Sequence, residues 1–152
     1  MRTKIPIEII ELEGEGIHLF VKGFLNDNEE CSLIIDTGAS KTVFDCHLPE
    51  HLFRKESIQE EVLTAGINAG EIETKIGIAD NFTIGDLVIE NFETILISLE
   101  HINNLYKKII KKEIHGLIGS DFLMQHKANV DFRKKILSLE YKKLKVHKVE
   151  SL

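Results

Sequence analysis

Leu33-Ile34-Ile35-Asp36-Thr37-Gly38-Ala39-Ser40 is the stretch on which the fold turns. Three consecutive large apolar residues read as a short strand, and a carboxylate follows directly at its end. A hydroxyl and a glycine come next, then two small residues. Gly38 allows a tight turn and a close approach of the backbone to another group. Backbone N–H groups in such a turn can point at the Asp36 carboxylate and hold it. Asp-Thr-Gly is also an ordinary turn sequence, so the tripeptide alone decides nothing.

Working outward, a second stretch echoes the first. His115-Gly116-Leu117-Ile118-Gly119-Ser120 is again an apolar strand ending at a glycine, and Asp121-Phe122-Leu123 continues as a helix start with Ser120 as its N-cap. Each is expected to lead into a short helix, and two such half-units fit one small barrel with approximate internal symmetry.

Most of the remaining pattern is strand-like. Residues 4–12 and 17–25 read as strands, with 26–30 as the turn that follows the second. Residues 48–55 read as one or two helical turns, with Pro49 near the start. Residues 62–70 carry Gly66 and Gly70 and read as a hairpin tip, and 72–79 alternates. Residues 82–99 read as two strands around Gly85-Asp86, 101–112 as a helix with a basic face, and 129–141 as a hairpin around Arg133-Lys134-Lys135.

Composition narrows the class. The chain has 152 residues, 43% of them apolar and 29% charged, with a formal charge of -6. It is too apolar for intrinsic disorder and has no apolar run near the roughly 18–20 residues of a membrane span. The opening Met1-Arg2-Thr3-Lys4-Ile5-Pro6 carries no signal-peptide pattern, so a cytoplasmic location is expected. Cys31 and Cys46 are the 2 cysteines, too few for a disulfide framework or a closed zinc site, and are expected as reduced thiols. The acidic balance argues against bulk nucleic-acid binding.

Phosphoryl-transfer folds also place Asp, Gly and Thr after a strand. Those folds need two lobes and a nucleotide cleft, and this chain has no Gly-rich Lys-Ser/Thr loop. What remains is a small β-rich domain with Asp-Thr-Gly. On the two motifs above, in that order and in a chain this short, the sequence resembles the retropepsin-like aspartic proteases, the single-lobe kind that includes retroviral proteases and their non-viral relatives. Ala128-Asn129-Val130-Asp131-Phe132 and the strand after the basic turn also resemble non-viral members.

The resemblance implies an all-β fold: a small closed acid-protease barrel, a half-pepsin lobe, with one or two short helices. It implies one domain over 1–152, with the motif-bearing core at about 17–141. The implied activity is aspartic endopeptidase, with Asp36 as the catalytic residue. Because one lobe carries one Asp-Thr-Gly, it implies a homodimer acting on an extended peptide or protein, with no cofactor, no metal, no nucleic acid and no membrane. Thr37 and Gly38 would brace the active-site loop across the dimer. Gly38, Ala39, Ser40, Gly66, Ile67 and Ile118 would bind substrate, with Gly66 and Ile67 in a flap over residues 64–72.

Two departures stand out. Retroviral members usually carry an acid where Ser40 stands and an arginine where Ser120 stands, a pair that steadies their dimer. The spacing from Asp36 to Gly119 is also longer here, mainly through residues 82–112. Two rivals share the fold: a silent module that holds peptides without cutting, and a structural dimer without a ligand.

Other reactive residues read as surface features. The 7 histidines are scattered. His47 and His51 have the spacing of a helical metal pair, but Pro49 lies between them. Cys46 beside His47 carries no sign of an activated thiol, since adjacent side chains usually point apart. Lys107, Lys108, Lys111 and Lys112 read as a solvated face without aromatic platforms.

Overall fold

The computed structural model describes residues 1–12, 14, 16–57 and 74–142. The apolar run of 33–35 forms the end of a strand buried on both faces, as a continuous rather than alternating pattern requires. This is β4 (Glu29–Ile35), reached through β1 (Arg2–Pro6), β2 (Glu8–Leu12) and β3 (Gly16–Leu25). After the Asp36 loop come β5 (Val43–Asp45), a single 3₁₀ turn (Glu50–Leu52) and β6 (Arg54–Ser57). Then follow β7 (Lys75–Ile84), β8 (Leu87–Ile97), α1 (Glu100–Ile109), β9 (Gly116–Ile118), α2 (Ser120–Gln125), β10 (Asn129–Asp131) and β11 (Ile136–Glu140).

The barrel closes through β3-β4-β9-β5-β8-β7, because β7 returns to pair with β3 at Phe24↔Thr83 and Leu25↔Phe82. β2 flanks β3, β6 flanks β7, and β1-β11-β10 makes a separate sheet. The fold is therefore all-β, with two α-helices among the described residues, as the resemblance implies. The two echoing strands lie side by side: β4 and β9 are parallel, with Leu33↔Gly116, Ile34↔Leu117 and Ile35↔Ile118 in register.

Alternation along these strands divides the core in two. Leu33, Ile35 and Ile118 point into the barrel, where Phe44, Phe82, Phe92 and Phe122 pack together. Phe44 and Phe82 meet edge-to-face at 5.6 Å, a favoured aromatic geometry. Ile34, Val43 and Phe20 face outward and are covered by Tyr106 and its neighbours. The longer spacing between the motifs thus holds α1, which roofs the outer face of the central strands.

Three local expectations are corrected. The run 4–12 is two strands, because Ile7 leaves the small sheet and its N–H bonds Lys135 O at 2.9 Å instead. Ser120 is the first residue of α2; the N-cap is Gly119, and it is Asp121 Oδ1 that accepts the Phe122 N–H, at 2.8 Å. The second motif leads into a helix but the first leads into β5, so the internal echo stops at the strands. The flap expected at 64–72 lies outside the described residues. No helix among the described residues is long and apolar enough to cross a membrane.

Candidate active site

Two loops meet at the end of the parallel pair. β4 delivers Asp36, whose N–H bonds Ile118 O at 2.9 Å. The chain then turns: the Gly38 N–H donates to Asp36 Oδ1 at 3.0 Å and the Ala39 N–H to Asp36 O at 3.1 Å. Donation to a carboxylate is charge-assisted, so the turn orients the side chain as well as the backbone. Asp36 is half-buried, Thr37, Gly38 and Ser40 are exposed, and Ala39 is half-buried.

The facing loop is stitched to this one. Ser120 N–H donates to Ala39 O at 2.7 Å. The buried Thr42 hydroxyl accepts the Gly119 N–H at 3.0 Å and donates to Asp121 Oδ1 at 2.8 Å. The Thr42 carbonyl in turn accepts the Thr94 hydroxyl at 3.1 Å. Gly119 has no room for a side chain, since a Cβ there would lie 2.7 Å from the Lys41 carbonyl and 2.8 Å from Ala39 O. Thr42 and Asp121 were not among the residues the motifs single out. Their signal is slight: a polar residue just before an apolar strand, and an acid in the first turn of a short helix.

Asp36 and Thr37 open into a groove of about 690 Å³. Its other lining is mostly apolar and comes from β3, β4, α1, β9 and the β10 turn, including Ile34, Leu105, Leu117 and Phe132. Ile118 is 1% exposed and packs in the core, so it serves the site through its carbonyl, while Leu117 lines the groove. Gly66 and Ile67 lie outside the described residues. A separate groove of about 770 Å³ lies over β1, β2 and β3; Glu8, the one acid among its described lining residues, is paired with Lys112.

The remaining candidates sit elsewhere. Cys31 is fully buried, and burial, with Glu29 nearby, pushes its thiol up to about 12. Cys46 and His47 do face each other, with Sγ 3.8 Å from Nδ1, against the expectation that they point apart. With Asp45 they place ligand atoms within 4.8 Å of one another. Asp45 Oδ1, however, already accepts the His47 N–H at 3.2 Å and the Leu99 N–H at 3.3 Å, and contacts His47 Nδ1 at 3.1 Å. That cluster is accounted for as a turn at the other end of β5. His51 lies in the 3₁₀ turn and His47 before it, so the pair shares no α-helix.

Comparison with known proteins gives the same reading as the geometry. A family profile described as aspartyl protease matches residues 21–122, which span both loops. Among curated protein sequences none matches the chain. Of solved structures, the retroviral protease-like domain of Ddi1 from Leishmania major is similar at 16% identity and a TM-score of 0.51, over 82% of this chain and 90% of that one. A retropepsin-like aspartic protease from Rickettsia conorii is similar at 19% identity and a TM-score of 0.49, over 93% and 96% of the two chains. With the matched span covering most of the chain, this protein belongs to the aspartyl protease family, and its fold is retropepsin-like.

Proposed function

We propose that this chain is an aspartic endopeptidase that works as a homodimer, hydrolysing peptide bonds with a water activated between two Asp36 carboxylates, one from each subunit. The observation that carries this reading is the Asp36 carboxylate itself. It is oriented by its own turn and opens into a groove large enough for an extended peptide.

The chemistry needs one base and one acid. Two carboxylates brought close together cannot both ionise easily and share a proton, as is established for aspartic proteases in general. The ionised Asp36 takes a proton from water as its oxygen attacks the peptide carbonyl. The protonated partner gives its proton to the carbonyl oxygen. Collapse of the tetrahedral intermediate then returns a proton to the leaving nitrogen. The pair titrates as a unit. Thr37 braces the two loops, and the backbone of Gly38, Ala39 and Ser40 runs beside the peptide. Gly66 and Ile67 would close over it. Since neither Ser40 nor Ser120 is charged, the dimer is held by other contacts than an acid–arginine pair.

The test is cleavage of a diverse peptide pool, read by mass spectrometry from about pH 4 to about pH 7, with Asp36→Asn alongside. Cuts made only by the wild type, and faster at the acidic end, are the expected result. A well-folded dimer that binds peptides without cutting them would favour the silent peptide-holding module. A protein that remains monomeric with substrate present, yet cuts, would sink the dimer mechanism.

A further inference from the structure

We propose that the groove over β1, β2 and β3 is a docking site for an extended acidic peptide, a segment of a partner protein that pairs with the open edge of β1. The groove shares no described lining residue with that of Asp36, so the proposal goes beyond the protease reading and stands without it.

The first observation is how the chain borders the groove. Residues 4–9 all line it, without a gap. Successive strand residues point to opposite faces, so a groove touched by such an unbroken run follows an edge rather than one face. The edge is open. Met1 and Tyr141 exchange both backbone bonds, at 2.7 and 2.9 Å, and the Ile7 N–H reaches Lys135 O at 2.9 Å in the same register. Bonded pairs alternate along an antiparallel ladder, so Thr3 and Ile5 face β11 while Lys4 turns its N–H and carbonyl the other way. Among the described strands β1 pairs only with β11.

The second observation is charge. The chain carries -6 overall, yet the described lining of this groove holds Lys4, Lys22, Lys112 and Lys135 against one acid, Glu8. Lys112 is paired with Glu8 and sits 4.8 Å from the centre of the Phe20 ring, and Lys22 meets Glu30 at 3.8 Å on exposed surface. Lys4 and Lys135 are exposed, and no carboxylate among the described residues pairs with either. The basic turn read from the sequence thus delivers Lys135 to the same groove as the β1 edge. Between the charges, Ile9 and Phe24 are half-buried and present hydrocarbon.

These features select one occupant. An open edge offers main-chain bonds to another extended chain, which is how strand addition works. Lysine and proline guard an edge against indiscriminate pairing, and Pro6 has no N–H to give. A partner strand therefore needs carboxylates to meet Lys4 and Lys135, with apolar side chains between them for Ile9 and Phe24. A lipid anion would use the lysines and the hydrocarbon but leave the backbone edge unused.

The experiment uses the full chain with Asp36→Asn, so that no probe is cut. The probe is a fluorescein-labelled octapeptide of alternating Glu and Val, capped at both ends, followed by anisotropy at low and higher salt. It is expected to bind, although the net charge of the chain repels it, and a Lys and Val counterpart is expected not to. Lys4→Gln with Lys135→Asn removes two charges; Asn suits the backbone at Lys135, where φ is 57°. This pair should weaken binding roughly three- to tenfold and flatten its salt dependence. Lys22→Gln, on another strand, gives a second reading if that pair misfolds. Lys107→Gln with Lys108→Gln removes the same charge from exposed α1 positions outside the groove and should leave the affinity near that of the parent. Of two peptides N-methylated at alternate residues, one in each phase, at least one should bind more weakly, because methylation removes main-chain donors. No binding of the acidic peptide overturns the proposal. Equal weakening by the groove pair and the α1 pair overturns it as well, since the attraction would then come from the general field. Undiminished binding of both N-methylated peptides, with displacement by laurate, would make the groove a site for a fatty anion instead. A dimer that the peptide splits on sedimentation would make it a contact with a second copy, which also overturns the proposal.

Discussion

Asp36 and Asp45 stand at opposite ends of the segment that runs through β5, and each follows the end of a strand or ends one. Their carboxylates are used differently. Asp45 is 7% exposed, and its Oδ1 takes the N–H groups of His47 and Leu99 and the His47 ring. Asp36 is half-buried, and among the described residues its carboxylate accepts only the Gly38 N–H. A carboxylate has about four lone-pair sites. At Asp45 the fold places three contacts on Oδ1; at Asp36 it places one, and the residue lines a groove. Residue type and turn chemistry are alike, so what separates Asp45 from the proposed reactive Asp36 is how many contacts the fold already makes to the carboxylate.

The contrast can be broken by mutation. Asp36→Asn is expected to lower cleavage by about 10²–10⁴-fold or more, while thermal unfolding stays near that of the wild type. A large loss of stability in this variant would mean that Asp36 is structural too. Asp45→Ala should do the reverse. It leaves the Leu99 and His47 N–H groups without their acceptor, which costs about 1–3 kcal/mol of stability, while the folded fraction still cuts. Denaturant unfolding with activity measured on the same samples would show it. Thr42→Val lies between the two. It orphans the Gly119 N–H and frees Asp121, so about 1–3 kcal/mol should go, together with part of kcat as the loops loosen. If kcat is unmoved at matched folded fraction, the stitching does not position Asp36. The smallest effect sharpens the same contrast for the thiols. At about pH 8, below its raised value, Cys31 should resist iodoacetamide in the native protein while Cys46 reacts. Equal labelling, read by mass, would show that the barrel opens on the labelling timescale.

How much was legible in advance follows from the range of each interaction. The Asp36 turn was readable because its partners are neighbours in the chain: Gly38 sits two residues on, and the apolar run before it leaves no choice but a buried strand. The hairpin around Gly85-Asp86 was readable for the same reason. The break at Ile7 was not, because it answers to Lys135, on the far side of the sequence. Ile118 is expected beside the substrate, but its neighbour Leu117 faces the groove; which of two adjacent apolar residues faces in depends on the register with β4. Thr42 and Asp121 escaped notice because each is unremarkable until the other stands 2.8 Å away.

The sequence by itself determined the barrel class and the family, and singled out Asp36 as the acid to test. Those depend on short-range patterns: strand periodicity, a glycine turn, and a motif repeated at a suitable distance. Only the tertiary structure decided that the two motifs pair in parallel, that residues 36–42 are sewn to 118–122 through a hydroxyl, and that α1 stands beside Asp36. The physical reason is that a hydrogen bond or a groove belongs to two segments at once. Sequence states what each segment offers, and closure of the barrel selects which offers meet.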